Sequence, residues 1–237
     1  MGFGLVQQFL AAGQTVVAVG RNAASSTNLQ TLAGGTGGRL MLFNCDIGDS
    51  KSVEDFGLVI REKVKSVEVL VNNAGLYLPT PFFSHLNSPT LGISQDTLEE
   101  NVSNISSTNL QTHFTTNVVG TLLITQVIAP LFHPGSKLLN ISSMCASLDL
   151  APRRPIQNVV GYSISKASLN MLTVKQAMFY KECIVVAIDP GNVKTDMNPD
   201  AENTVQEVVG SLVKVVDGLK TEHSGQFLSW EGERMVW

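Results

Sequence analysis

Short, continuous apolar runs separated by longer stretches with helical apolar spacing recur from one end of this sequence to the other. That alternation limits the folds open to it. Residues 16–19, 40–43, 67–71, 137–141 and 184–188 are strand-like runs, and residues 225–230 form a last one. Runs without polar alternation suit strands covered on both faces, as in a parallel sheet. Between them the spacing predicts helices over 5–12, 50–64, 112–131, 162–180 and 204–219. Strands alternating with helices imply right-handed βαβ units. The expected fold class is α/β, a doubly wound parallel sheet in a single domain over residues 1–237.

Two connections are long. Residues 76–112 are polar and carry Pro79, Pro81 and Pro89, and residues 149–160 carry Pro152, Arg153, Arg154 and Pro155. Both fall after strands, at the sheet end where open α/β folds bind ligands.

Composition removes several function classes. A formal net charge of -4 leaves no basic footprint for nucleic acid. No stretch approaches the roughly 20 apolar residues of a membrane span, and no leader pattern opens the chain, so neither a membrane partner nor export is expected. Cys45, Cys145 and Cys183 are odd in number and widely spaced, which suits a reducing compartment and a cytoplasmic location. Cys145 is open to two readings, a pocket-lining thiol or a structural one. The sequons at Asn101, Asn104 and Asn140 carry little weight, since Asn140 lies inside a strand-like run. His85, His113, His133 and His223 lack metal-ligand spacing, so they add nothing secure and no metal site is expected.

The chemistry-bearing feature is Tyr162-Ser163-Ile164-Ser165-Lys166. Residues four apart share a helix face, so a phenol and an ammonium can meet there. A nearby cation favours phenolate, which would lower the Tyr162 pKa toward neutrality. Alone, the spacing could equally be a surface pair. Its surroundings are more specific. Residues 69–71 run into Asn72-Asn73-Ala74-Gly75, a strand ends in Asn140-Ile141-Ser142-Ser143, and residues 184–188 run into Asp189-Pro190-Gly191-Asn192-Val193-Lys194-Thr195. Asn117 lies in Thr116-Asn117-Val118-Val119-Gly120.

In this order, over nearly the whole chain, the set resembles the short-chain dehydrogenase/reductase family. The ending from Gly225 to Gly232 is similar to its C-factor-like carbonyl reductase branch. The resemblance implies a Rossmann-like sheet and a catalytic set of Asn117, Ser143, Tyr162 and Lys166. Tyr162 would exchange a proton with the substrate oxygen and Ser143 would hydrogen-bond that oxygen. Lys166 would hold the nicotinamide ribose. Asn117 would hold a connecting water; it could also be a helix-kink residue satisfying backbone groups, and both can hold together. For the cofactor it implies Gly2, Phe3 and Gly4 under the pyrophosphate, and Asp46 and Ile47 at the adenine. Asn73, Ala74 and Gly75 would lie along the ribose, with Pro190, Gly191, Val193 and Thr195 at the nicotinamide and pyrophosphate. Arg21 follows the first strand-like run, where a cation favours NADP over NAD; without that register it would be an ordinary surface arginine.

One departure stands out. The family opens with a strand and a Thr-Gly-x-x-x-Gly-x-Gly turn, and here only Gly2-Phe3-Gly4 precedes the first helix. The first strand and the start of the glycine-rich turn are missing from the sequence given. A truncated chain, a natural short form and a descendant adapted to other work would each account for this. The last of these would have its sheet repaired in another way; otherwise a gap or a distorted join is expected between the strands at 16–19 and 67–71. The expected function is NADP(H)-dependent interconversion of a carbonyl and an alcohol on a small, partly hydrophobic molecule, with residues 76–83 and Met197 suggesting the apolar surroundings. The alternative is a cofactor-deficient binding or regulatory protein of the same descent. A homodimer through the helices at 112–131 and 162–180 is also expected, from the apolar Val118, Leu122, Leu123, Ile124, Leu169, Met171, Leu172 and Val174.

Overall fold

A computed structural model describes residues 1–78, 101–153, 159–195 and 199–237. Pro79, Pro81, Phe83, His85, Pro89, Arg154, Pro155 and Met197 lie outside the described residues. The strands are β1 (Val16–Gly20), β2 (Leu40–Asn44), β3 (Val69–Asn72), β4 (Lys137–Ile141), β5 (Ile184–Asp189) and β6 (Phe227–Ser229). The helices are α1 (Gly2–Ala11), α2 (Thr27–Gly34), α3 (Ser50–Lys63), α4 (Ser107–Phe114), α5 (Thr121–Ile128), α6 (Val160–Phe179) and α7 (Val205–Gly218). All strand pairs are parallel. The doubly wound α/β class and the six strand positions follow the sequence expectation.

α2 was not expected from the sequence. Its eight residues bury none of their side chains fully, so the apolar stripe that betrays longer helices is missing. Its start is fixed locally, by the Ser26 side chain accepting from the Leu29 amide.

The core explains the strand assignments. β5 is buried at every position, with Val185, Val186, Ala187 and Ile188 at 0% exposure. On one face, α1 and α7 cover it through Leu5, Val208, Leu212 and Val216. α7 begins at a capping box in which Thr204 and Glu207 satisfy each other's backbone amides. On the other face, α3 and α5 close over β2 and β3 through Val53, Phe56, Ile60, Ile124 and Ile128. A polar ladder runs through the same layer. Asn72 Nδ2 donates to Asn140 Oδ1 at 2.9 Å, and Asn140 Nδ2 donates to Thr173 and Gln176 on α6 at 2.9 and 2.8 Å. Asn140 is fully buried in this ladder, where a glycan has no room.

The sheet is open where the sequence predicts a gap. β1 pairs only with β2, and β3 heads a separate four-stranded sheet in the order β3-β4-β5-β6. Between the facing edges lies a cavity of about 1050 Å³ whose walls include Phe9, Val17, Val19, Leu70, Val71 and Ile124. The burial pattern records the same opening. Val19 is 38% exposed and β3 is only partly buried, whereas β5, with a neighbour on each edge, is closed. α1 begins beside the end of β3, since a Cβ on Gly2 would stand 2.8 Å from Asn73 Nδ2. A strand leading into α1 would therefore end at the mouth of this slot.

One expectation is corrected. The continuous helical stretch Ser107–Leu131 spans 25 residues with a mean hydropathy of 1.4 in its most apolar window, long and apolar enough to cross a bilayer by length and composition. The sequence reading expects no such stretch. Asn109, His113, Asn117, Thr121 and Thr125 nevertheless recur on one buried face of it. There Thr125 accepts from Asn72 and Asn117 donates to Ser165, the packing of a helix turned toward protein.

Candidate active site

The catalytic candidates meet at the carboxyl ends of β3, β4 and β5. β4 leads through buried Ser142, whose hydroxyl donates to Asn170 Oδ1 at 2.6 Å, to Ser143 in extended conformation. The Ser143 hydroxyl caps the following 3-10 turn by accepting from the Cys145 amide at 3.2 Å. It also hydrogen-bonds the Tyr162 hydroxyl. Asp189, at the end of β5, accepts from the Met144 amide at 2.9 Å and so fixes the same turn from below. Two adjacent hydroxyls therefore point into one space, an arrangement able to grip a single substrate oxygen.

Lys166 lies one turn along α6 from Tyr162, as its spacing requires. It is 3% exposed, and its Nζ donates to the Ile141 carbonyl at 2.7 Å and stands 5.7 Å from the Tyr162 ring centroid. A Cβ on Gly75 would come within 3.3 Å of that ammonium and 3.5 Å of Asn117 Oδ1. The Asn73-Ala74-Gly75 segment thus runs directly past the lysine.

The electrostatics correct the sequence expectation. Burial pushes the Tyr162 phenol up to about 12, and the Ser143 hydrogen bond only partly opposes it. Burial likewise pushes the Lys166 ammonium down from 10.5 to about 8. The ammonium sits beside the ring and bonds a carbonyl, rather than the phenol oxygen, so desolvation outweighs pairing. In this arrangement the Tyr162 phenol is pushed above its ordinary value rather than below it.

The buried lysine also has a stability consequence. Between pH 8 and 10.5 the unfolded chain holds the Lys166 proton and the folded chain sheds it, so this group makes stability rise with pH across that window. Charging it at pH 7 costs on the order of 3 kcal/mol, at about 1.4 kcal/mol per pH unit. Lys166→Met is expected to raise Tm at pH 7 by several degrees, with the gain shrinking toward pH 10. Parallel melting curves at both pH values check this, and an unchanged or lower Tm at pH 7 would refute it.

Asn117 sits in a π-helical turn, Thr115–Gly120, between α4 and α5. Its carboxamide accepts from the Leu76 amide at 2.7 Å and donates to the Leu76 carbonyl at 3.0 Å and to Ser165 at 2.9 Å. It therefore ties the strand-end segment to the helix, in keeping with the kink reading.

Of the cofactor candidates, Gly2, Phe3, Ile47, Asn73 and Ala74 border the cavity between β1 and β3. Gly2, Phe3 and Gly4 form the first turn of α1, where no side chain caps the free amides. Beside them the Oδ1 of Asn73 is buried without a hydrogen-bond partner among the described residues. Arg21 is exposed directly after β1. Asp46 accepts from the Gly48 amide at 2.9 Å, and its own amide donates to Ser52. The Ile47 carbonyl packs against Gly120. Pro190 and Gly191 follow β5, and Gly191 has φ +71° with the Trp230 ring 2.9 Å from where a Cβ would sit. That combination admits only glycine without strain. Val193 bridges Asn203, which holds the loop carrying Thr195 in place.

Residues missed from the sequence also border the site. His113, which spacing gave no role, is fully buried with its ring 6.4 Å from that of Tyr162. Tyr77 stands edge-to-face with Tyr162 at 5.6 Å. Only helical phase pointed to His113, four residues before Asn117, and Tyr77 was covered by the apolar residues 76–83 without being singled out. Among the described residues no His, Cys, Asp or Glu side chains group as three or more metal ligands.

Comparison with known proteins accords with this geometry. A family model described as short chain dehydrogenase matches residues 1–206. The chain is 25% identical to the short chain dehydrogenase gsfK of Penicillium aethiopicum, covering all of this chain and 95% of that protein. It is 30% identical to the C-signal protein of Myxococcus xanthus over 52% of this chain and 76% of that one. The NADPH-bound carbonyl reductase from chicken fatty liver superposes with a TM-score of 0.82 at 28% identity, covering 100% of this chain and 94% of that one. With Ser143, Tyr162 and Lys166 gathered at the sheet's carboxyl edge and a family model spanning most of its length, this chain belongs to the short-chain dehydrogenase/reductase family of NAD(P)-dependent oxidoreductases.

Proposed function

We propose that the protein reduces the carbonyl of a small, partly hydrophobic molecule to an alcohol, using NADP(H), with Tyr162 as proton donor. The observation that carries this reading is a half-buried Tyr162 hydrogen-bonded to Ser143 with Lys166 behind it. Reduction delivers a proton to the carbonyl oxygen, and a phenol held up at about 12 keeps that proton available throughout the neutral range. When bound, the nicotinamide supplies a hydride to the carbonyl carbon. Ser143 and Tyr162 donate hydrogen bonds to the oxygen as negative charge gathers there.

The residues present fit such a cofactor. The orphaned Asn73 Oδ1 can accept from a ribose hydroxyl, and the α1 amides favour an anion. Lys166 and Gly75 would meet a ribose at the nicotinamide end, with Pro190, Gly191, Val193 and Thr195 beside it. Asp46, Ile47 and Ala74 flank the adenine side, and Asn117 holds the Leu76 backbone beneath the site. The chicken enzyme, at 28% identity, is described as NADPH-bound, which supports NADP over NAD here.

Arg21 would meet the extra phosphate. Arg21→Ala is expected to weaken NADPH binding about tenfold, as lost charge-assisted hydrogen bonds do, while NADH binding changes little. Cofactor fluorescence titration measures both, and equal losses would remove Arg21 from this role.

A second reading, a cofactor-deficient binding protein, is favoured by one observation: β1 and β3 share no hydrogen bonds. Tight NADPH binding by this chain would exclude it. We also place the protein in the cytoplasm, on the support of three free cysteines; finding it in a secreted fraction would refute this. Two copies would pair through α6, where Ile164, Met171 and Met178 form an outward stripe at 46%, 58% and 61% exposure. Leu169, Val118 and Ile124, also expected in the dimer stripes, are 1%, 8% and 7% exposed and belong to the core. Light scattering at micromolar concentration tests the dimer, and a monomer would refute it.

A further inference from the structure

We infer that Asn170 is a positioning residue: through Ser142 it locks the strand end that carries Ser143 to the helix that carries Tyr162 and Lys166, and so keeps the Ser143 and Tyr162 hydroxyls in register during reduction. This rests on the reductase reading above and adds to it a residue that touches none of the reacting atoms.

α6 grips the end of β4 at three successive residues. Asn140 Nδ2 donates to Thr173 and Gln176, Lys166 Nζ donates to the Ile141 carbonyl at 2.7 Å, and the Ser142 hydroxyl donates to Asn170 Oδ1 at 2.6 Å. Residues 140 and 142 fall on one strand face by alternation, and both side chains meet the helix. Of these anchors the Asn170 bond lies nearest to Ser143 in the chain. The Lys166 bond is the one a cofactor would draw away, since the same ammonium would turn to the ribose. Asn170 has no such second task, so its hold persists when the lysine lets go.

Asn170 follows Lys166 by one helical turn and Tyr162 by two, which puts all three on one face of α6. It is 4% exposed and Ser142 is 1% exposed, so little water competes for their bond. The Asn170 Nδ2, by contrast, is buried without a hydrogen-bond partner among the described residues. A buried donor left unpaired opposes folding, so a carboxamide kept here for stability alone would be poorly chosen. What the position supplies is an acceptor aimed at Ser142. Ser142 is fixed on its other side as well, its amide donating to the Ile188 carbonyl of β5 at 2.7 Å.

The test replaces Asn170 with leucine, which keeps the branched shape and offers no acceptor. Reduction of 4-nitrobenzaldehyde with NADPH by the full chain is expected to lose about tenfold in kcat, with NADPH affinity within about twofold, as a small misplacement of a reacting group does. Tm should stay within about 3 °C, because the unpaired amide leaves together with the bond. Asn170→Asp, whose carboxylate accepts from Ser142 in the same place, should restore most of the turnover. Ser142→Ala should match Asn170→Leu, and the double variant should lose no more than either alone. The Cys145 amide donates to Ser143 Oγ at 3.2 Å and so reports that hydroxyl without any turnover. Its hydrogen exchange should quicken about tenfold in Asn170→Leu and return in Asn170→Asp. Unchanged exchange at Cys145, or exchange that quickens throughout the sheet as Tm falls, would overturn the inference, as would an unchanged kcat. If the unaltered protein reduces no carbonyl, the reductase reading falls, and exchange at Cys145 still decides whether Asn170 holds Ser143.

Discussion

Tyr162→Phe is expected to lower NADPH-dependent carbonyl reduction by at least about a thousandfold while leaving cofactor affinity within about twofold. The substitution removes one oxygen, and with it the proton that the substrate oxygen must receive. General acid catalysis is typically worth about 10² to 10⁴ in rate. The phenyl ring retains the contacts with Tyr77 and His113, so the pocket's shape should survive. The pH dependence offers an independent check. A phenol raised to about 12 stays protonated from pH 6 to 9, so its contribution to reduction should be flat there. Alcohol oxidation, which needs the phenolate, should instead climb with pH over the same range. Near-normal turnover in the Tyr162→Phe variant would remove Tyr162 from the mechanism, whatever its place in the site.

The second large effect concerns the slot between β1 and β3. A designed extension that places five apolar residues in extended conformation ahead of Met1, joined by a short glycine-containing turn, is expected to stabilise the protein substantially. Such a strand would find ladder partners on both edges and bury side chains toward α1 on one face and α5 on the other. Burial of five such side chains is worth on the order of 10 kcal/mol, and ordering the added residues offsets much of it. A net gain of a few kcal/mol corresponds to about 10 °C in Tm for a domain of this size. Amide exchange should slow along Val16–Gly20 and Val69–Asn72, whose facing edges would become paired. Without the extension, the open apolar edges are expected to make the chain prone to aggregation. A Gly/Ser extension of equal length is the control. If it stabilises as much, or if the apolar one has no effect, the slot is not a strand site.

The strands were legible because each is a short apolar run in a sequence whose other apolar residues follow helical spacing. β5 is the clearest case, since full burial on both faces demands the unbroken Ile184–Ile188 run. Ser143, Tyr162 and Lys166 were legible through the order of the motifs around them and the family resemblance those motifs carry, since a strand end and a spacing of four do not by themselves mark a site. α2 was not, because a capped two-turn helix with no fully buried residue leaves no periodic trace. The π turn at Asn117 was hidden for a related reason: its carboxamide bonds to Leu76, a partner 41 residues away.

What the sequence determined by itself was therefore periodicity and order: the α/β class, the strand positions, the opening left beside β1, and which residues could reach the carboxyl edge. Tertiary structure decided the charges and the neighbours. Whether Lys166 lowers Tyr162 depends on where the ammonium points and how much water remains, and packing turned it to the Ile141 carbonyl in a site where desolvation prevails. His113 and Tyr77 became part of the site only when residues 76–78 were folded onto α4. Spacing along a chain specifies which side chains share a face; the dielectric around them and their long-range partners exist only once the layers have closed.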